Sequence, residues 1–378
     1  MRKFLAIVFA AGLSCISVHA QWYIFPGAGR SVREEPGTTE EEHFQDAINL
    51  SILLPLDAAG EEPNANFLEM YCGALMAVRD LGNSGLRLNV SVFDTRDGQN
   101  RISPEQLSDS HIIFGPIFPD EILEVSSLCP DSLCVISPLD PKAADFIDSC
   151  RIIQSPSSWT RQIDDMVNWI REEMTRDDRL VIMADDAHIG EQSSYLLSRL
   201  NQEGLNFSMF GSTNGLRVQS SINTRFVIAS DDDDYINITV RELGNIAARK
   251  NNMFLYTTSR VRNSLDAEAK HLYNLHTRLT AAYFIDYSDD EVKDFILKYR
   301  SLFNAEPGSF AFQGYDAIRY FTNACAKFGK NWPERLPEYS ERGLQTDYKF
   351  HYRFGNPGQI NTAVRRIIYN RDMSTQLQ

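Results

Sequence analysis

The sequence predicts an α/β protein built as two doubly wound, Rossmann-like lobes. Three observations lead there. From Ala47 onward, short apolar runs alternate with stretches whose apolar residues recur at helical spacing. The alternation restarts near Ile152 as a second series of similar size. In Ser110–Glu121, the apolar run Ile112-Ile113-Phe114 stops at Gly115-Pro116, Ile117-Phe118 follows, and Pro119-Asp120-Glu121 opens a helix. That order is a buried strand, a tight loop and an acid-rich helix start. In open α/β sheets such loops line the ligand crevice, and an ordinary βα turn reads the same way.

Each element follows from local pattern. Ile48–Leu56 is dense in apolar residues and reads as a buried strand. The polar loop "DAAGEEPNAN" leads to a helix with Phe67, Met70, Tyr71, Ala74, Leu75, Val78 and Leu81 on one face, ended by Gly82 and Gly85. Leu88–Phe93 is a second strand, Ile112–Phe114 a third, and Leu133–Ile136 a fourth that ends in Ser137-Pro138. Strands linked by helices predict parallel sheets covered on both faces. In the second series, Ile163, Met166, Val167, Ile170 and Met174 mark a helix. Strands at Leu180–Ala184, Arg225–Ala229 and Asn252–Thr257 alternate with helices at Gln192–Leu200 and Tyr235–Ala248. The last hundred residues carry two amphipathic helices, Asp289–Phe303 and Phe312–Phe328. Alternating patterns at Asp347–Phe354 and Ala363–Tyr369 follow, joined by the turn "GNPGQ".

Composition narrows the class. With 378 residues, 43% hydrophobic and 23% charged, the chain can bury real cores. Arg2-Lys3, the apolar stretch Phe4–Ile16 and the small-x-small site Val18-His19-Ala20 read as a signal peptide over residues 1–20, which places the chain in the periplasm or beyond. Residues 21–46 read as a polar arm. A lipid anchor on Cys15 is the weaker reading, because Gly12 stands where a lipoprotein box carries Leu. No later apolar run approaches the ~18 residues of a membrane span. Loss of Arg2 and Lys3 takes the net charge from −14 to −16, which argues against a nucleic-acid partner. Five cysteines remain, and Cys129 with Cys134 or Cys150 is the plausible disulfide. No spacing fits a zinc or C-x-x-C redox site. No G-x-S-x-G, H-E-x-x-H or P-loop is present, so no enzyme, cofactor or metal is expected. Asp185-Asp186 with His188 reads as a surface loop. Asp231–Asp234 reads as a helix start, because four adjacent carboxylates lack the spacing of a calcium loop.

In order and spacing, the pieces "FLEMYCGALMAV", "VFDT", "IIFGPIF", "VISPL", "IIQSPSS" and "GLQTDYKFHYRF" resemble a known family. The chain is similar, over Ile48–Tyr369, to branched-chain amino-acid-type substrate-binding proteins of the type 1 periplasmic-binding fold, in the version found in Bacteroidota that often follows LysM repeats. The resemblance implies two lobes joined by three crossovers, with ligand held in a central cleft. It implies discontinuous lobes, 47–155 with 285–340 and 156–284 with 341–378. It also implies ligand contacts from Gly115, Pro116, Ile117 and Phe118, from Ser137 and Pro138, and from Ser230 and Asp231, with Tyr283, Tyr315 and Asp316 as weaker candidates. Amino-acid binders of the family carry a hydroxyl residue after the Gly-Pro loop. This chain has Phe118-Pro119 there.

The function implied is that of an exported, non-catalytic solute-binding protein. It would capture an amino acid, peptide or similar small molecule and deliver it to an ABC-type membrane permease. The rival reading is an envelope module that acts on a protein partner, as in the activators of peptidoglycan synthases that share the fold.

Overall fold

A computed structural model describes residues 47–96, 102–129, 133–139, 151–184, 187, 189–264, 269–351 and 358–378. They form two compact units. The first runs to Pro156 and resumes over Ile285–Asn361; the second comprises Ser157–Phe284 and Thr362–Gln378.

The first unit opens with β1 (Ile48–Leu54), α1 (Ala65–Asn83), β2 (Leu88–Asp94), the short α2 (Pro104–Leu107), β3 (Ile112–Phe114), α3 (Pro119–Leu128), β4 (Val135–Ser137) and β5 (Ile152–Gln154). The chain then builds the second unit from α4 (Trp159–Glu173), β6 (Arg179–Met183), α5 (Glu191–Gln202), β7 (Phe207–Phe210), β8 (Thr224–Ile228) and α6 (Asp233–Ala247). It continues with β9 (Met253–Thr258), α7 (Arg260–Ser264), α8 (Lys270–Asn274) and β10 (Arg278–Ala281). It returns to the first unit with α9 (Asp290–Phe303), α10 (Ser309–Phe328), α11 (Trp332–Arg335), β11 (Glu341–Arg342), β12 (Asp347–Tyr348) and β13 (Gln359–Ile360). It closes in the second with β14 (Arg365–Tyr369) and β15 (Thr375–Leu377).

The first sheet has the order β13-β5-β4-β3-β1-β2, with every pair parallel. Strand order reverses between β1 and β3. Leu50, Ile52, Phe114, Ile136 and Ile153 bury one sheet face against α1 and α10, and Leu53, Ile113, Val135 and Ile152 bury the other against α3. Asn64 caps α1 by accepting the amide of Asn66 at 3.2 Å. Glycine decides how closely α1 and α10 approach: a Cβ on Gly73 would lie 1.9 Å from the Ala311 carbonyl oxygen, and one on Gly314 would lie 2.1 Å from that of Met70.

The second sheet has the order β15-β14-β10-β9-β8-β6-β7; β14 pairs antiparallel with both β15 and β10, and the remaining pairs are parallel. Its order reverses between β6 and β8. At the amino ends of these strands Arg225, with its side chain 7% exposed, meets Asp178 at 2.8 Å and Glu173 at 3.2 Å. Arg366 of β14 makes a two-pronged bond to Asp165 of α4, at 2.8 and 2.9 Å, and so ties the C-terminal strand to that helix.

The structure corrects three sequence readings. Residues 341–361 belong to the first unit, not the second, because Asp316 of α10 accepts the amides of Leu344, Gln345 and Thr346 at 2.7–2.9 Å and holds that loop. Among the described residues, the alternating patterns at 347–354 and 363–369 do not pair with each other: β12 pairs with β11, and β14 with β10. The strand at Ile152 lies in the first unit. Cys129 and Cys134 are free thiols, and Cys150 lies outside the described residues. Burial pushes the thiols of Cys72 and Cys129 up to about 11 and that of Cys134 to about 12, so they stay protonated at neutral pH. Residues 1–46, on which the signal-peptide and Cys15 readings fall, also lie outside the described residues, as do Asp185, Asp186 and His188. Among the described residues no helix is long and apolar enough to cross a membrane.

Candidate functional site

In a doubly wound sheet the ligand crevice opens at the carboxyl ends of the strands, where strand order reverses. In the first unit that point lies between β1 and β3, and the loop after β3 is Gly115–Phe118. Gly115 has φ +88°, and a Cβ on it would lie 1.9 Å from the carbonyl oxygen of Leu53 on β1. Its amide donates to Ile136 O at 2.9 Å, and the Gly115–Pro116 peptide is cis. The close approach that glycine permits is therefore to the neighbouring strand. Ile117 is buried in the apolar core.

Phe118 is half-buried at the start of α3. Its ring meets Phe67 edge-on, with centroids 6.3 Å apart, and Phe67 meets Phe310 in the same way at 6.0 Å. The Arg96 guanidinium lies over Phe118, 4.5 Å from its centroid, and pairs with Glu121 at 3.3 Å. Burial raises the pKa of Glu121, and the charge of Arg96 opposes that rise. Three phenylalanines and one ion pair thus cluster where the family resemblance implies a hydroxyl. Sequence reading singled out Phe118 alone. Phe67 reads as a core-facing helix residue and Phe310 falls just before the helix read at Phe312–Phe328, yet each sits in the first turn of its helix, where strand-end loops meet it.

Ser137 and Pro138 end β4 and are buried. Ser137 O accepts the amide of Ser155 at 2.9 Å, and Ser137 Oγ has no hydrogen-bond partner among the described residues. Pro138 O accepts Gln313 Nε2 at 2.8 Å, and Gln313 Oε1 accepts Gln345 Nε2 at 3.0 Å. Tyr315 lies in the helix layer: its hydroxyl donates to Asp80 at 3.0 Å, its ring packs 4.9 Å from Phe295, and burial raises its pKa. Asp316 is the buried anchor of the 344–346 loop, so both candidates on α10 have scaffold partners.

In the second unit strand order reverses between β6 and β8, and Ser230-Asp231 follow β8. Ser230 Oγ accepts the amide of Asp232 at 3.1 Å. Asp231 accepts the amides of Gln192 and Ser193, at 3.0 and 2.9 Å, and so holds the first turn of α5. Arg260 lies 3.8 Å from the Asp231 carboxylate and 3.1 Å from that of Asp233. Asp232 caps α6 by accepting the amide of Tyr235 at 2.6 Å. The acidic run therefore serves two helix starts, only one of which is its own. Beside it lies a cavity of about 40 Å³ lined by Gln192, Ser193, Ser230, Thr257, Thr258 and Arg260 among others. Tyr283 is half-buried in the segment after β10. Among the described residues no group of three metal-ligating side chains is present.

No protein-family model matches the sequence, and no curated protein matches it. Solved structures do match. A putative branched-chain amino acid ABC transporter protein from Rhodospirillum rubrum superposes with a TM-score of 0.60 at 13% identity, over 88% of this chain and 100% of the other. The fold is the type 1 periplasmic-binding fold. Other chains of this fold differ in role. A substrate-binding protein from Desulfitobacterium hafniense, solved with Leu, has a TM-score of 0.50 at 14% identity over 88% and 100% of the two chains. The C-terminal domain of LpoA from Haemophilus influenzae, a regulator of PBP1A, has a TM-score of 0.51 at 16% identity over 87% and 99%. At such identities the likeness establishes the type 1 fold and nothing finer.

Proposed function

We propose that this chain is an exported, non-catalytic binding module of the type 1 fold that acts on a protein partner of the cell envelope and does not capture a free amino acid. Phe118 carries the reading. It stands where a hydroxyl would hold a ligand carboxylate, and it is packed between Phe67 and Arg96. The second unit agrees with this. Asp231, the acid nearest to hand for a ligand ammonium, already accepts two amides of α5. In the first unit the partner would meet the loops at Gly115–Phe118 and Ser137-Pro138; in the second, taken by itself, Ser230-Asp231 and Tyr283 are the candidate contacts.

A solute receptor serving an ABC-type permease is the second reading. The hydroxyl and amide groups of Ser230, Thr257, Thr258 and Gln192 around the cavity favour it. The cavity itself, about 40 Å³ and lined by the second unit alone, accommodates water.

A thermal-shift screen separates the two. The panel is amino acids, short peptides, nucleosides, sugars and muropeptides. A ligand at about a hundred times its dissociation constant stabilises by ~2.7 kcal/mol. The proposed function predicts no shift, and a concentration-dependent change in the rate of a purified peptidoglycan synthase from the same envelope. A clear shift, lost on Ser230→Ala and accompanied by no effect on the synthase, would replace it with the solute receptor.

A further inference from the structure

Among the described residues, the first sheet ends in an edge strand that nothing pairs on its outer side. β2 pairs in parallel with β1 and, among the described residues, with no other strand. The hydrogen bonds at its ends fix which backbone groups face where. Ile48 N donates to Arg87 O at 2.8 Å, and Thr95 N donates to Leu54 O at 3.0 Å. Backbone direction alternates along a strand, so Arg87, Asn89, Ser91, Phe93 and Thr95 turn their groups toward β1. Leu88, Val90, Val92 and Asp94 turn theirs outward. Asn89, Ser91 and Val92 are solvent-exposed, Val92 to 39%.

Native edge strands are guarded by lysine, proline, bulges or inward charges. The run from Leu88 to Phe93, L-N-V-S-V-F, has no charged residue and no proline, and its register against β1 is unbroken over seven residues. It is also self-complementary. Antiparallel pairing about a twofold axis through Ser91 sets Val90 against Val92 of a second copy and Leu88 against Asp94. These are the outward-facing residues, so each such pair can exchange both backbone bonds. The two valines share one face and pack as β-branched neighbours. On the other face Ser91 meets itself and Asn89 meets Phe93. No like charges face each other, since Arg87 falls opposite Thr95 and Arg96 opposite Leu86.

We propose that β2 is a homodimer edge: two copies pair antiparallel about Ser91 and join their six-stranded sheets into one. This is independent of what the strand-end loops bind.

The test uses the purified full chain. Opposed residues at a position that is not hydrogen-bonded lie ~4.5 Å apart between Cα atoms, within disulfide range. Ser91→Cys should therefore oxidise to a covalent dimer, at least about tenfold faster than Asn89→Cys, which faces Phe93. In sedimentation the unmodified chain should dimerise, and Val92→Lys should raise the dimer dissociation constant at least about tenfold. If Val92→Lys fails to fold, Val90→Pro takes its place, because it removes an outward N–H that the ladder with β1 does not use. A chain still monomeric at about 100 µM overturns the proposal and leaves the edge to an extended segment of another protein. Equal cross-linking of the two cysteine variants, or a dimer indifferent to the edge substitutions, overturns it too.

Discussion

The carboxylate of Asp231 accepts the amide of Ser193 at 2.9 Å, so an acid from the loop after β8 holds the start of a helix that precedes it in the chain. The first amides of any helix lack partners within it, and an external carboxylate also meets the positive end of the helix dipole. Asp231→Ala leaves two amides of α5 without this acceptor. The expected cost is about 1–2 kcal/mol in urea unfolding. Asp231→Asn keeps an acceptor and should lose less than half as much. Equal losses would mean that the charge on Arg260, not the helix cap, is what Asp231 serves.

Gly115 offers a second prediction with a different cause. Its φ of +88° disfavours any L side chain, and the space a Cβ would need is taken by Leu53 O. Gly115→Ala must therefore move β1 relative to β3 or abandon the turn. A loss of roughly 2–4 kcal/mol is expected, larger than for an exposed turn glycine. A loss below about 1 kcal/mol would show that the loop relaxes freely.

How far the sequence could be read depends on whether a residue's partners are local. The strand at Ile48 and the helices at 65–83 and 309–328 were legible because one face of each packs on a core, which leaves its period in the sequence. The start of the Gly115 loop was legible for the same reason, since apolar density stops there. What the loop touches was not, because Leu53 is a partner in space. Asp231 read as part of its own helix start, since nothing nearby in sequence indicates that it reaches Gln192 and Ser193. The fate of residues 341–361 turns on Asp316 and on Tyr348 stacked 4.4 Å from Tyr320, neither of which leaves a period. The strand at 359–360 has two residues, too few to show an alternation.

The pair Arg225–Asp178 sits at the amino ends of the second sheet, with side chains 7% and 3% exposed. Arg225 also bonds Glu173 and the hydroxyl of Tyr256. Removing one member of a buried pair leaves the other charged and unmatched. Arg225→Ala should destabilise the second unit by about 3–5 kcal/mol. Arg225→Met with Asp178→Leu removes both charges and should recover much of that loss. A double variant no better than the single one would locate the cost in lost packing against Phe254 and Tyr256, over whose rings Arg225 lies.

The same pair fixes a pH dependence. Burial alone would raise the pKa of Asp178, but the bonds from Arg225 and Thr175 outweigh it and hold the carboxyl below its usual value. A group whose pKa is depressed by folding stabilises the fold above its unfolded pKa, near ~3.9, and that contribution fades as pH falls toward the folded value. Stability of the second unit should therefore fall on acidification below about pH 4, and Asp178→Asn should flatten that limb while leaving the neutral-to-alkaline limb parallel to the parent. Urea midpoints measured from pH 7 down to pH 2.5 test this, at about half-unit steps. If the acid limbs of parent and Asp178→Asn coincide, the acid sensitivity comes from other carboxylates. Glu172, whose bond to Arg366 also holds its carboxyl below the usual value, would be the next to replace, since Arg366 joins β14 to the helix that carries Glu173.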